Sequence, residues 1–192
     1  DQKLNLGGEE RDVTVLFSDI RGFTAMSEKM TPKEVVRTLN SYFSEMIDII
    51  FKYDGTLDKI VGDELMVVFG APISRDDDAE RAVKTAVGMV EALRKFNEKR
   101  KKKNKVPINA GIGINKGKVI SGNIGSKDQM DYTVIGDTVN LGARLCSFAG
   151  PLKIIISQSV KNEIGDLYKT RKLEAIKVKG KRKPVEIFKV LT

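Results

Sequence analysis

The chain has 192 residues, with 34 Lys and Arg against 26 Asp and Glu, a formal net charge of +8, and 41% hydrophobic residues. This is a globular composition, long enough for one domain with a substantial core. With no His and one Cys, Ser-His-Asp and Cys-His catalysis, an internal disulfide and a cysteine zinc site are all excluded.

No apolar run approaches the roughly 20 residues of a membrane span, and no signal peptide opens the sequence. The lone Cys146 fits a reducing compartment, so a location on the cytoplasmic side is expected. Charge is unevenly spread: residues 1–98 hold 13 basic and 19 acidic side chains, residues 99–192 hold 21 and 7. A basic half is first read as a nucleic-acid or membrane-surface binder.

Residues 1–11 are polar, contain Gly7 and Gly8, and read as a linker remnant; residues 12–192 read as the domain. Val13 to Phe17 is a nearly continuous apolar run, as in a buried central strand. It ends in Ser18-Asp19-Ile20-Arg21-Gly22. Thr31, Pro32 and Glu34 have the form of an N-cap, a first helical residue and a capping box, with Met30 and Val35 as a hydrophobic staple. Val35, Leu39, Tyr42, Met46 and Ile50 follow at helical spacing, and Asp54-Gly55 ends that helix.

Strands are expected at Thr56–Val61 and Leu65–Phe69 around a Gly62-Asp63 turn. Asp76, Asp77, Asp78 and Glu80 open a second long helix, whose apolar face is Ala79, Val83, Ala86, Val90 and Leu93. Lys99 to Lys105, six basic residues in seven, reads as a solvated helix end. Strand is expected at Ile108–Ile114 and Val119–Ile124, with a break near Asn115-Lys116-Gly117, and again at Tyr132–Ile135. A helix is expected over Thr138–Phe148, a strand at Lys153–Ile156, a short helix near Gln158–Ile164, and strands near Leu173–Val178 and Val185–Val190. Alternating helices and strands with hairpins define an α+β class: a ferredoxin-like, mostly antiparallel sheet with packed helices.

Familiar phosphate loops fail. The run from Gly111 to Gly117 is not G-x-G-x-x-G, and Gly117-Lys118-Val119 lacks the Ser or Thr of a Walker A loop; Gly111 and Gly113 read as strand glycines that admit another backbone. Asp19 at a strand end and Asp63 in a turn have the chemistry to hold Mg²⁺, yet each alone is an ordinary turn residue. Asn140 and Arg144, four apart on one helix face, suit a phosphate oxygen, or are ordinary surface residues.

Together these segments resemble the catalytic domain of class III nucleotidyl cyclases, from about Asp12 to Val190. Four separated motifs in order carry the resemblance: Phe17 to Thr24, Lys59 to Asp63, Gly136 to Arg144, and Val178-Lys179-Gly180. It implies that a nucleoside triphosphate is cyclised by attack of its 3′-hydroxyl on the α-phosphate, assisted by two Mg²⁺ or Mn²⁺ ions. Asp19, Asp63 and the backbone carbonyl of Ile20 match the metal ligands. Asn140 and Arg144 match the pair that positions the ribose and stabilises transition-state charge. Lys179 matches the lysine on the terminal phosphates, and Lys118 sits where a basic phosphate contact is often found.

Lys59 and Thr133 match the two positions that read the purine edge. A Lys ammonium only donates, which suits adenine N1 and opposes guanine N1–H; Thr133 accepts from the adenine amino group. A mismatched buried donor costs about 1–3 kcal/mol, so ATP is the expected substrate, and the Lys–Thr pair resembles the class IIIb subgroup. The resemblance also implies a homodimer, with Asp19 and Asp63 from one chain facing Lys59, Thr133, Asn140, Arg144 and Lys179 of the other, and an N-terminal regulatory domain in the full-length protein. Gly142 and Cys146 depart from the Ala and acidic residue more often found there; Gly142 is expected to loosen its helix and Cys146 to be a small packing residue. A guanylate or dual-specificity cyclase, an RNA-binding module and a catalytically dead homology domain are the competing readings. Only 6% aromatic residues and no RNP-like pair disfavour RNA, so no nucleic-acid partner is expected.

Overall fold

A computed structural model describes residues 8–192. The linker assigned to 1–11 therefore lies mainly outside the described residues, and its last part is strand: β1 runs over Glu9–Ile20. The remaining elements are α1 (Phe23–Ser27), α2 (Pro32–Lys52), β2 (Thr56–Val61), β3 (Glu64–Phe69), α3 (Asp78–Lys102), β4 (Ala110–Gly125), β5 (Met130–Ile135), α4 (Asp137–Phe148), β6 (Ile154–Ser157), α5 (Gln158–Ile164), β7 (Thr170–Lys172) and β8 (Ile187–Val190).

The strands form one mixed sheet in the order β2-β3-β1-β4-β6-β8-β7, with β5 paired to the far part of β4. Every pairing is antiparallel except β4 with β6. This is the expected α+β architecture. β1 is central and covered on both faces, which explains its unbroken apolar run. Leu16 and Ile20 face a core shared with Tyr42, Met46 and Ile50 of α2 and Ala79, Val83, Ala86, Val90 and Leu93 of α3. Val13, Val15 and Phe17 face the other way, onto Met66, Val68, Val134 and Cys146.

The local signals around α2 are realised. Thr31 Oγ1 accepts from Glu34 N at 3.2 Å while Thr31 N donates to Glu34 Oε2 at 3.0 Å, which completes the capping box. At the other long helix the basic run is not wholly solvated. Arg100 is buried, donates from Nε to Val106 O at 2.7 Å and lies over the Phe96 ring; its aliphatic stem and planar head suit this better than the neighbouring lysines.

Two expectations are corrected. β4 does not break at Asn115-Lys116-Gly117: these residues pair with Val15, Thr14 and Val13 of β1. Asn115 is buried and donates to Thr138 O at 3.0 Å, and Lys116 pairs with Asp12 at 3.7 Å and Glu163 at 3.5 Å. Tertiary partners thus satisfy polar groups that read locally as a turn. Leu173–Val178 is not a strand. Its backbone meets its neighbour through Leu173 N to Ile187 O at 3.0 Å and the isolated Ile176–Val185 bridge, while Leu173, Ile176 and Val178 pack in an apolar cluster with Val185 and Ile187.

Gly113 and Gly142 let α4 lie close on the sheet. A Cβ on Gly113 would come within 2.7 Å of Gly142 O, and one on Gly142 within 2.8 Å of Val15 Cγ2. Gly142 is therefore a packing requirement, not the loosening element its helix propensity implies. Cys146 is buried between α4 and β4, its thiol near Gly111 O at 3.4 Å and its pKa pushed up to about 12 by burial. It is the small packing residue expected.

Candidate active site

Two groups of side chains emerge, one acidic and one basic. Asp19 closes β1, and Asp63 sits in the β2–β3 turn behind Gly62, whose φ of +61° favours glycine. Because β1 and β3 are antiparallel neighbours, with Ser18 opposite Leu65, the strand end and the turn meet. The Asp19 pKa is pushed up to about 7. Desolvation is the largest cause; the neighbouring Asp63 carboxyl comes next, Arg21 opposes them and Glu64 adds slightly. Glu64 is itself raised, by burial and by Asp63.

Among the described residues neither Asp19 nor Asp63 is ion-paired to a Lys or Arg, and no group of three His, Cys, Asp or Glu clusters as a metal cage. Two carboxylates held together without a cation, beside the main chain of Ile20, are nevertheless an oxygen donor set that fits Mg²⁺ or Mn²⁺. Such ions commonly use one or two carboxylates plus substrate phosphates. Beneath them, Ser18 Oγ and Tyr42 Oη lie 3.3 Å apart in the core, and burial raises the Tyr42 hydroxyl well above its ordinary range.

The basic group gathers around α4. Asn140 and Arg144 both project from its exposed side. Lys179 lies in an exposed turn closed by Lys181 N to Val178 O at 3.1 Å, with Gly180 at φ +88°. Lys181 pairs with Asp137 at 3.0 Å, so the turn is tied to the start of α4. Lys118 is tied there too, since its carbonyl accepts from Thr138 Oγ1 at 2.7 Å. Its ammonium pairs with Glu10 at 3.2 Å; both are exposed, so that pair is weak and exchangeable.

Lys59 and Thr133, remote in sequence, both reach the carboxylate of Asp58. Thr133 Oγ1 donates to both Asp58 oxygens at 2.9 and 2.8 Å, and Lys59 Nζ lies 3.8 Å from Asp58 Oδ1. Asp58 is a residue that sequence reasoning passed over; its only signal is a carboxylate directly before Lys59 in a strand. Arg21 was likewise passed over, although it lies inside the first motif. Its guanidinium donates to Cys146 O and its charge reaches Asp19, bridging the acidic group and α4.

The family model for the "Adenylate and Guanylate cyclase catalytic domain" matches residues 8–191. An adenylate cyclase of Anabaena cylindrica is 37% identical over 94% of this chain, and adenylate cyclase 1 of Rhizobium meliloti is 31% identical over 94%. The matched regions are 37% and 28% of those proteins, so the chain spans about a third of the length of these curated relatives. Among solved structures, the adenylyl cyclase CyaB from P. aeruginosa superposes with a TM-score of 0.93 at 38% identity, covering 97% of both chains. The guanylyl cyclase Cya2 superposes with a TM-score of 0.89 at 43% identity, covering 96% of this chain and 93% of its own. The chain belongs to the class III adenylate and guanylate cyclase catalytic-domain family.

Proposed function

We propose that this chain is an adenylate cyclase catalytic domain that converts ATP to 3′,5′-cyclic AMP and pyrophosphate, with active sites formed between two copies. The observation that carries the ATP reading is the meeting of Lys59 and Thr133 around Asp58. Overall similarity does not decide the base, since neighbours named for both activities resemble the chain well. The chemistry of these two side chains favours adenine: a donor for its N1 and an acceptor for its 6-amino group.

In the reaction the 3′-hydroxyl loses its proton, its oxygen bonds to the α-phosphorus, and pyrophosphate departs. Asp19, Asp63 and the Ile20 carbonyl would hold the divalent cations, which supply Lewis acidity toward the hydroxyl and the triphosphate. Asn140 orients the ribose through its amide. Arg144 presents guanidinium donors to charge developing on the α-phosphate, and preorganised donors are most effective there. Lys179 neutralises the terminal phosphates, and Lys118 adds a basic phosphate contact.

Assembly from two copies is supported by what one chain leaves uncovered. Ile60, Val61, Ile120, Tyr132 and Ile135 are large apolar residues at least 40% exposed, on β2, β4 and β5. A soluble surface rarely keeps such a group open. Asn140 and Arg144 are likewise exposed, and Arg144 has no ion-pair partner among the described residues, as expected of groups that serve a site on a second copy.

Incubating the purified chain with Mn²⁺ and either ATP or GTP, and measuring both cyclic products, tests the substrate. Cyclic AMP is expected to dominate, and Lys59→Glu with Thr133→Cys to move the preference toward GTP. Dominant cyclic GMP from the unaltered chain would overturn the ATP reading.

A further inference from the structure

We propose that Asp58 is a specificity-determining positioning residue, whose carboxylate fixes the direction of the Thr133 hydroxyl so that Thr133 faces the purine as an acceptor only. This rests on the reading above that Thr133 faces the base.

A threonine hydroxyl both donates and accepts. Alone it would serve the 6-amino group of adenine, a donor, and the 6-oxo group of guanine, an acceptor, about equally well. Thr133 is not alone. An ionised carboxylate only accepts, so the hydroxyl hydrogen points at Asp58, 2.9 and 2.8 Å away, and the lone pairs point elsewhere. A 6-amino group finds an acceptor there; a 6-oxo group meets lone pair against lone pair. Thr133 is 8% exposed and the Asp58 side chain 5%, so little water is present to reverse the bond.

The backbone is built for this contact. In the β2–β3 ladder Leu57 pairs with Val67 and Lys59 with Met66, which leaves Asp58 as the extra residue of a bulge. In a regular strand, consecutive side chains point to opposite faces; a bulge re-aims one of them. Here it brings the Asp58 carboxylate and the Lys59 ammonium to 3.8 Å on the same side. Asp58 therefore touches both base-reading residues, restraining the donor while it orients the acceptor.

The test compares kcat/KM for ATP and for GTP on one preparation of each variant, so that the ratio is independent of the fraction folded. In Asp58→Asn the new amide can donate to Thr133, which frees the hydroxyl hydrogen for a 6-oxo group. The ATP/GTP ratio is expected to fall about tenfold, mainly through opposite changes in the two KM values. In a Thr133→Val background the same Asp58→Asn change is expected to leave the ratio unmoved, because no hydroxyl remains to orient. A strut that merely joins β2 to β5 would lower both activities together. If Asp58→Asn does not fold, Asp58→Ala removes the acceptor and is expected to lower the ratio as well.

An unchanged ratio in the Asp58 variants, with a changed ratio in Thr133→Val, would overturn the role of Asp58 and leave the base reading intact. An unchanged ratio in Thr133→Val would overturn both. An unaltered chain that prefers GTP would contradict the ATP reading before any variant is made.

Discussion

The acidic corner and the α4 face are built on opposite physical terms. Asp19 and Asp63 sit at a strand end and a tight turn, partly desolvated and repelling each other, so that a proton is retained to about pH 7. Asn140, Arg144, Lys179 and Lys118 are exposed, which gives them little energetic connection to the fold. The first region stores unfavourable electrostatics that a bound cation would relieve. The second is held in place by its scaffold: glycine-mediated packing of α4 and the Lys181–Asp137 tie. Removing a functional group should therefore raise stability in the first region and leave it almost unchanged in the second.

The largest effect is expected at the acidic corner. Asp19→Asn or Asp63→Asn should lower cyclase activity at least about a thousandfold, several kcal/mol of barrier. The metal-free fold should nevertheless gain stability. The Asp19 pKa of about 7 lies above its ordinary 3.8, so the folded chain holds a proton that the unfolded chain has released across that window. The contribution of Asp19 to stability without metal is then full below about pH 4 and is lost as pH rises through about 7. Melting curves in chelator should show the gain from Asp19→Asn at pH 7.5 and little at pH 4. Mn²⁺ should raise the Tm of the unaltered chain and not that of the variant. A Tm that falls in Asp19→Asn would break the contrast.

Next comes Arg144→Ala, with a loss of about 100- to 1,000-fold in kcat and a Tm within about 1 °C of the parent, as for a surface substitution. A clear loss of Tm would mean that the guanidinium is structural. Gly142→Ala should do the reverse. The added Cβ would press on Val15 and Phe17 at 2.8 and 3.2 Å. Overpacking of about 1–3 kcal/mol, partly offset by about 1 kcal/mol of helix propensity, leaves a net loss near 1 kcal/mol. Thermal melts should reveal it as a drop of about 3 °C. The smallest effect is Thr31→Ala, about 0.5–1 kcal/mol from the lost cap, seen in denaturant midpoints with unchanged activity per folded molecule.

What was legible in the sequence follows from how local each cause is. The α2 capping box and the α3 apolar face are set by neighbours within a few residues, and both appear as expected. The Asn115-Lys116-Gly117 stretch carries turn residues, but their partners are Thr138, Asp12 and Glu163, which no local window contains. Gly142 was misjudged for the same reason: its cost as a helix residue is local, whereas its need, the approach to β1, is tertiary. At the site, residue types and motif order singled out Asp19, Asp63, Lys59, Thr133, Asn140, Arg144 and Lys179. Asp58 and Arg21 make their contacts with residues far along the chain, so these connections are visible only once the strands and α4 are brought together.

In the proposed dimer the acidic corner of one copy works with the α4 face of another. Mixing Asp19→Asn with Arg144→Ala, each nearly inactive alone, tests it most directly. Random re-pairing gives about half mixed dimers, each with one intact site, so activity should recover to about a quarter of the unaltered chain. A mixture that stays as inactive as its parents, despite demonstrated exchange of subunits, would contradict sites shared between copies.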